Sequence, residues 1–196
     1  MIFLLGIYVI ILYLYIYIDI MEELKKNLAI AEIIRIILTI FVLYYLPIPL
    51  FYKIILIILL EEFDYTIPKK LLKIDWFDSS NINYHIYDKI GDKICYSILL
   101  LYIIQNKIFS KSYNNILICL LIFRIIGTIL FILKKNRHYL FYFPNFFLEI
   151  TLAFSGLKHF ALNNSVRNLM IPIIVPLKII HEYFMHYNKF FYTYFI

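Results

Sequence analysis

The sequence predicts an all-α fold: a polytopic transmembrane helical bundle of six core spans preceded by a hydrophobic N-terminal helix. Hydrophobic residues fill 63% of the 196 positions and charged residues only 16%, with a mean hydropathy of +0.82. A soluble domain has about half its residues apolar and about a quarter charged, so lipid must solvate most of this surface. The apolar residues also fall into runs close to the roughly 20 residues that cross a bilayer. Basic residues cluster between alternate runs, as topology signals do.

The elements follow in chain order. Residues 1–24 hold the N-terminal hydrophobic helix, whose segment 2–20 is apolar on every side. It lacks a basic n-region and a small-x-small cleavage site, which disfavours a cleaved signal peptide. A membrane-surface placement remains the alternative to a span. Residues 25–196 form the six-helix transmembrane domain. Its first run is 28–46, closed by Pro47-Ile48-Pro49. Two prolines this close favour a tight turn between spans, with one kinked helix as the alternative. A short run at 50–60 ends on Glu61-Glu62-Phe63-Asp64. The stretch 65–85 is the longest polar one and reads as a cytosolic loop, with room for a short surface helix. Further runs cover about 86–106, 113–133, 139–157 and 168–187.

Charge sets the orientation. Lys25 and Lys26, then Lys69, Lys70 and Lys73, then Lys134, Lys135 and Arg137 follow alternate spans. The positive-inside rule puts the loops at 21–27, 63–87 and 134–138 in the cytosol, the N-terminus outside and the C-terminus inside. The net charge of +6 therefore reads as topology and not as a nucleic-acid surface. Attraction of Lys134–Arg137 to anionic headgroups is a secondary reading. Membrane lipids are the expected surroundings; a homodimer stays open. Cys95 and Cys119 lie inside apolar runs and make neither a C-x-x-C motif nor a disulfide framework.

The most informative polar residues are four acids. Glu61 and Asp64 stand at i, i+3 where one run ends, and Asp88 and Asp92 at i, i+4 where the next begins. Each pair shares a helix face. Adjacent antiparallel spans would bring the pairs together, and a cluster of carboxylates suits Mg²⁺, Mn²⁺ or Ca²⁺. Interfacial capping is the competing reading. It accounts for Asp88 at a helix N-terminus but not for acids at a helix C-terminus.

The run Glu61-Glu62-Phe63-Asp64-Tyr65-Thr66-Ile67-Pro68-Lys69-Lys70, followed by Asp88-Lys89-Ile90-Gly91-Asp92-Lys93, resembles the signature of the CDP-alcohol phosphatidyltransferases. That signature reads D-x-x-D-G-x-x-A-R, a spacer, then G-x-x-x-D-x-x-x-D. The six spans between about 28 and 187 also agree with that family. Glu61 stands for the first Asp, Tyr65 for the Gly, Pro68 for the Ala and Lys69 for the Arg; Tyr84 stands for the second Gly, and the spacer is longer. These departures imply either an altered donor or a degenerate site. Asp75 and Asp78 repeat the D-x-x-D spacing in the polar loop and rank second.

The resemblance implies metal-dependent transfer of a phospho-alcohol group from a CDP-linked donor to an alcohol acceptor, releasing CMP, in phospholipid synthesis. Glu61, Asp64, Asp88 and Asp92 would be metal ligands for Mg²⁺ or Mn²⁺, and Asp92 the catalytic base. Lys69, Lys89 and Arg124 would contact substrate. Arg124 earns its place by depth: a charge roughly 15 Å inside an apolar run is costly. Arg35 is as deep, but Glu32 at i−3 can neutralise it. His181 and His186 are spaced wrongly for H-E-x-x-H. Two other classes remain open: a transporter whose buried charges line a pathway, and a non-catalytic protein with the transferase fold.

Overall fold

The structure is a computed structural model that describes residues 26–72 and 82–184. The N-terminal segment 1–24 and the acids Asp75 and Asp78 lie outside the described residues. All regular structure among the described residues is helical: α1 (Lys26–Tyr44), α2 (Leu50–Leu72), α3 (Ile82–Gln105), α4 (Lys111–Lys134), α5 (His138–Tyr142), α6 (Phe147–His159) and α7 (Asn164–Glu182).

Helix α3 is the most buried element, packing against α1 and α4. Helix α2 lies on α1 and α6, and α7 closes the bundle on α6. Leu43, Ile54, Leu99, Ile103, Leu117 and Phe147 meet in the core.

The turns explain the register. Pro47-Ile48-Pro49 does end one helix and start the next: α1 closes at Tyr44, and Lys53 N donates to Pro49 O at 3.2 Å to open α2. Inside this turn Lys53 is buried, and its Nζ donates to Leu43 O at 2.5 Å and to the Tyr102 hydroxyl at 3.0 Å. It satisfies a carbonyl that the end of α1 leaves without a helical partner. The α3–α4 and α6–α7 turns are alike. Lys107 and Ala161 adopt left-handed backbone at φ 50° and 49°, and Ile108 N→Ile103 O and Leu162 N→Leu157 O, both 3.0 Å, close the helix ends. These bonds form Schellman motifs without the usual glycine.

Three boundaries differ from the sequence expectation. Helix α2 does not end at Glu61–Asp64 but continues through Pro68 to Leu72, so the polar stretch at 65–85 begins as helix. Pro68 removes one backbone donor near the C-terminal end of this helix, which runs only four residues further. Helix α3 starts at Ile82, which puts Asp88 beyond the first turn, where capping does not account for it. The run 139–157 is broken at 143–146, around Pro144, into α5 and α6. Among the described residues, two stretches are long and apolar enough to cross a membrane: Lys111–Lys134, and His138–His159 with its break included.

Candidate functional site

The bundle buries a belt of charge at the end where α3 begins. Glu32 and Arg35 on α1, and Asp88, Asp92 and Lys93 on α3, are all buried. Gly91 leaves room for two charged side-chain ends: a Cβ there would meet the Glu32 carboxylate and the Arg35 guanidinium.

Arg35 is the hub. Its guanidinium lies 2.6 Å from Glu32 Oε2, 3.0 Å from Asp92 Oδ1 and 3.5 Å from Asp88 Oδ1, and it donates to the Asp88 carbonyl at 3.1 Å. Lys89 Nζ sits between the two aspartates, 2.6 Å from Asp88 Oδ2 and 3.0 Å from Asp92 Oδ2. Lys93 Nζ lies 3.7 Å from Asp92 and over the Tyr96 ring, 4.3 Å from its centroid. Buried charges persist only when paired in this way.

Tyr96 extends the belt. Its hydroxyl donates a short hydrogen bond to Glu61 Oε1 and accepts one from Asn145 Nδ2 at 2.8 Å. Glu61 of α2 thus meets α3 through Tyr96, one turn beyond Asp92. The side chains of Asp64 and Lys69 lie outside the described residues.

Arg124 sits in a second polar cluster. Its Nη1 donates to Leu140 O at 2.7 Å and to Phe143 O at 2.6 Å, and its Nη2 lies 3.7 Å from Glu182 Oε2. The break after α5 exposes carbonyls that a continuous helix would satisfy, and Arg124 takes them. Glu182 serves the other side of the same break, accepting from Asn145 N at 3.0 Å. Lys178 Nζ completes the cluster, 2.6 Å from Glu149 and 3.5 Å from Glu182. The depth of Arg124 thus has a structural cause in the α5–α6 break.

In the sequence Arg35 reads as a local partner of Glu32, and Lys93, Tyr96, Asn145 and Glu182 do not stand out as site residues. Glu32 and Arg35 inside an apolar run, with Gly91 between two aspartates, were the available signals. Tyr96 and Asn145 gave none.

The donor set was tested for a divalent ion. Asp88 and Asp92 already close on one cationic atom, Lys89 Nζ, as two carboxylates bridging an ion would. Their hard oxygens suit Mg²⁺ or Mn²⁺. Among the described residues, however, no three ligating side chains converge to metal-binding geometry. The fit is that of a bridging pair, with Glu61 beside it.

No family model, curated protein or solved structure matches this chain.

Proposed function

We propose that this chain is a multi-pass membrane protein that transfers a phospho-alcohol group from a CDP-linked donor to an alcohol, releasing CMP. The membrane part is supported by an inside-out distribution. On α1 the charges Glu32 and Arg35 face inward, while Ile30, Ile34, Ile37 and Phe41 are exposed. On α7 Glu182 is buried while Leu169, Ile173, Leu177 and Ile180 are exposed. Helices that carry charge in their sequence thus still offer lipid an apolar face. The acidic site then faces the cytosol by the positive-inside rule.

One observation carries the enzymatic part: Lys89 Nζ held between Asp88 and Asp92, with Glu61 one turn away on the Tyr96 hydroxyl. Carboxylates able to share a cation, next to Arg35, Lys89 and Lys93, combine the two charge types that phosphoryl transfer uses. Asp88, Asp92, Glu61 and Asp64 would hold Mg²⁺ or Mn²⁺, whose chemistry there would be charge neutralisation on the transferring phosphate and leaving group. Lys89 would leave its carboxylates for phosphate oxygens, and Lys69 would add a second point charge. Asp92 would take the proton of the attacking alcohol. Arg124, held by the α5–α6 break, would contribute its field without leaving its carbonyls.

A second reading is favoured by the state of Asp92, whose Oδ1 is met by Arg35 and Oδ2 by Lys89. In it the belt is a closed structural core and the protein is non-catalytic. The assay that separates them is CMP release from CDP-diacylglycerol with Mg²⁺ or Mn²⁺ and a panel of alcohols. Turnover that disappears in Asp88→Ala and Asp92→Ala supports the transferase; absence of turnover with every alcohol supports the structural core.

A further inference from the structure

The two ends of the bundle differ in charge. Glu32, Glu61, Asp88, Asp92, Glu149 and Glu182 all lie at the end where α3 begins. No acid occurs at 36–60, 94–148 or 150–181, so among the described residues the opposite end carries cations only, including Lys107, Lys111 and Lys158.

At that basic end, between the α3–α4 and α6–α7 turns, a cavity of about 280 Å³ opens. Its floor is aromatic. Phe154 packs against Tyr113 at 4.4 Å and Phe109 at 6.1 Å between ring centroids. Leu157 and Leu162 line the wall, and Lys158 stands at the rim. Lys158 Nζ donates to Ile108 O at 2.6 Å, which fixes the ammonium where the two turns meet. An ammonium has three donors, so this bond leaves capacity for an anion's oxygens. The turns on both sides are closed by hydrogen bonds, which makes the cavity preformed.

We propose that this cavity binds an anionic phospholipid of the adjoining leaflet, its phosphodiester on Lys158 and a segment of acyl chain against the Phe109–Tyr113–Phe154 floor. The volume falls just below the roughly 300–1,000 Å³ of sites that enclose a whole small molecule, which suits one segment of a lipid. Charge complementarity selects the anionic headgroup, because among the described residues no carboxylate at this end competes for the lysine. The proposal rests on the membrane-spanning reading and is independent of the transferase reading, whose residues lie at the other end.

The test is native mass spectrometry of the full chain in detergent, titrated with phosphatidylglycerol, with phosphatidylcholine of the same acyl chains, and with inorganic phosphate. Lys158→Gln, Leu162→Trp (which fills the cavity) and Lys111→Gln are compared. Phosphatidylglycerol is expected to bind about fivefold tighter than phosphatidylcholine, the size of one lysine's attraction at a lipid surface. Lys158→Gln should abolish that preference, Leu162→Trp should reduce occupancy by both lipids, and Lys111→Gln should change neither. Equal binding of both lipids, unchanged binding in Lys158→Gln and Leu162→Trp, or retention of phosphate alone would overturn the proposal. Carbonate extraction of membranes separates the two failures. Release of the chain sinks the spanning reading, whereas a retained chain without lipid preference sinks this site alone.

Discussion

The guanidinium of Arg35 on α1 lies 3.0 Å from Oδ1 of Asp92 on α3, joining residues 57 positions apart in the buried charge belt. The contact ties α1 to the central helix and decides how the belt is neutralised. Removing one partner of a buried pair leaves an uncompensated charge, at a cost of about 3–5 kcal/mol. Arg35→Met should destabilise the protein by that amount in detergent unfolding. Arg35→Met combined with Asp92→Asn should recover part of the loss. Strictly additive losses would show that the two side chains are not coupled.

Gly91 gives a test with an opposite local expectation. In an exposed helix, Gly→Ala stabilises by about 1 kcal/mol. At Gly91 the added methyl meets Glu32 and Arg35, so Gly91→Ala should destabilise by about 1–3 kcal/mol, as overpacking does. Adding Glu32→Ala should relieve the clash with the carboxylate. A stabilised Gly91→Ala protein would show that the Glu32 and Arg35 side chains are not held in place by the belt.

Arg124 should act through the α5–α6 break. Arg124→Leu strips the Leu140 and Phe143 carbonyls of a shared donor and removes a charge facing Glu182. The expected loss is about 3–5 kcal/mol. Arg124→Lys should lose less, since an ammonium keeps the charge without the fork. Faster hydrogen exchange at 140–146 in Arg124→Leu would report the loosened break directly.

Topology is open to labelling. In a Cys95→Ala, Cys119→Ala background, Asn136→Cys should react with impermeant reagent only from the cytosolic side. Asn106→Cys should react only from the other side. Labelling of both from one side would remove the spanning reading.

The helical class and the Pro47–Pro49 turn were legible in the sequence because apolar runs and paired prolines are local signals. The continuation of α2 through Pro68 was not, because one missing donor resembles a stop when the helix around it is unseen. The break at Pro144 was hidden in a continuous apolar run, and its satisfied carbonyls depend on Arg124, from another helix. Within the site, the i, i+4 spacing of Asp88 and Asp92 revealed their shared face. Arg35 read as a partner of Glu32 because local spacing cannot show that α1 lies on α3. Tyr96 is one of 19 tyrosines, and only the tertiary packing distinguishes it.

The most direct test of the central proposal is CMP release by the purified chain, supplied with CDP-diacylglycerol, an alcohol acceptor and Mn²⁺ or Mg²⁺. The proposal predicts metal-dependent turnover that falls by about 10²–10⁴-fold in Asp92→Asn, the range for loss of a general base. It also predicts severe loss in Asp88→Asn, with each variant still folded. Turnover that is unchanged in both variants, or that persists in excess chelator, would contradict it.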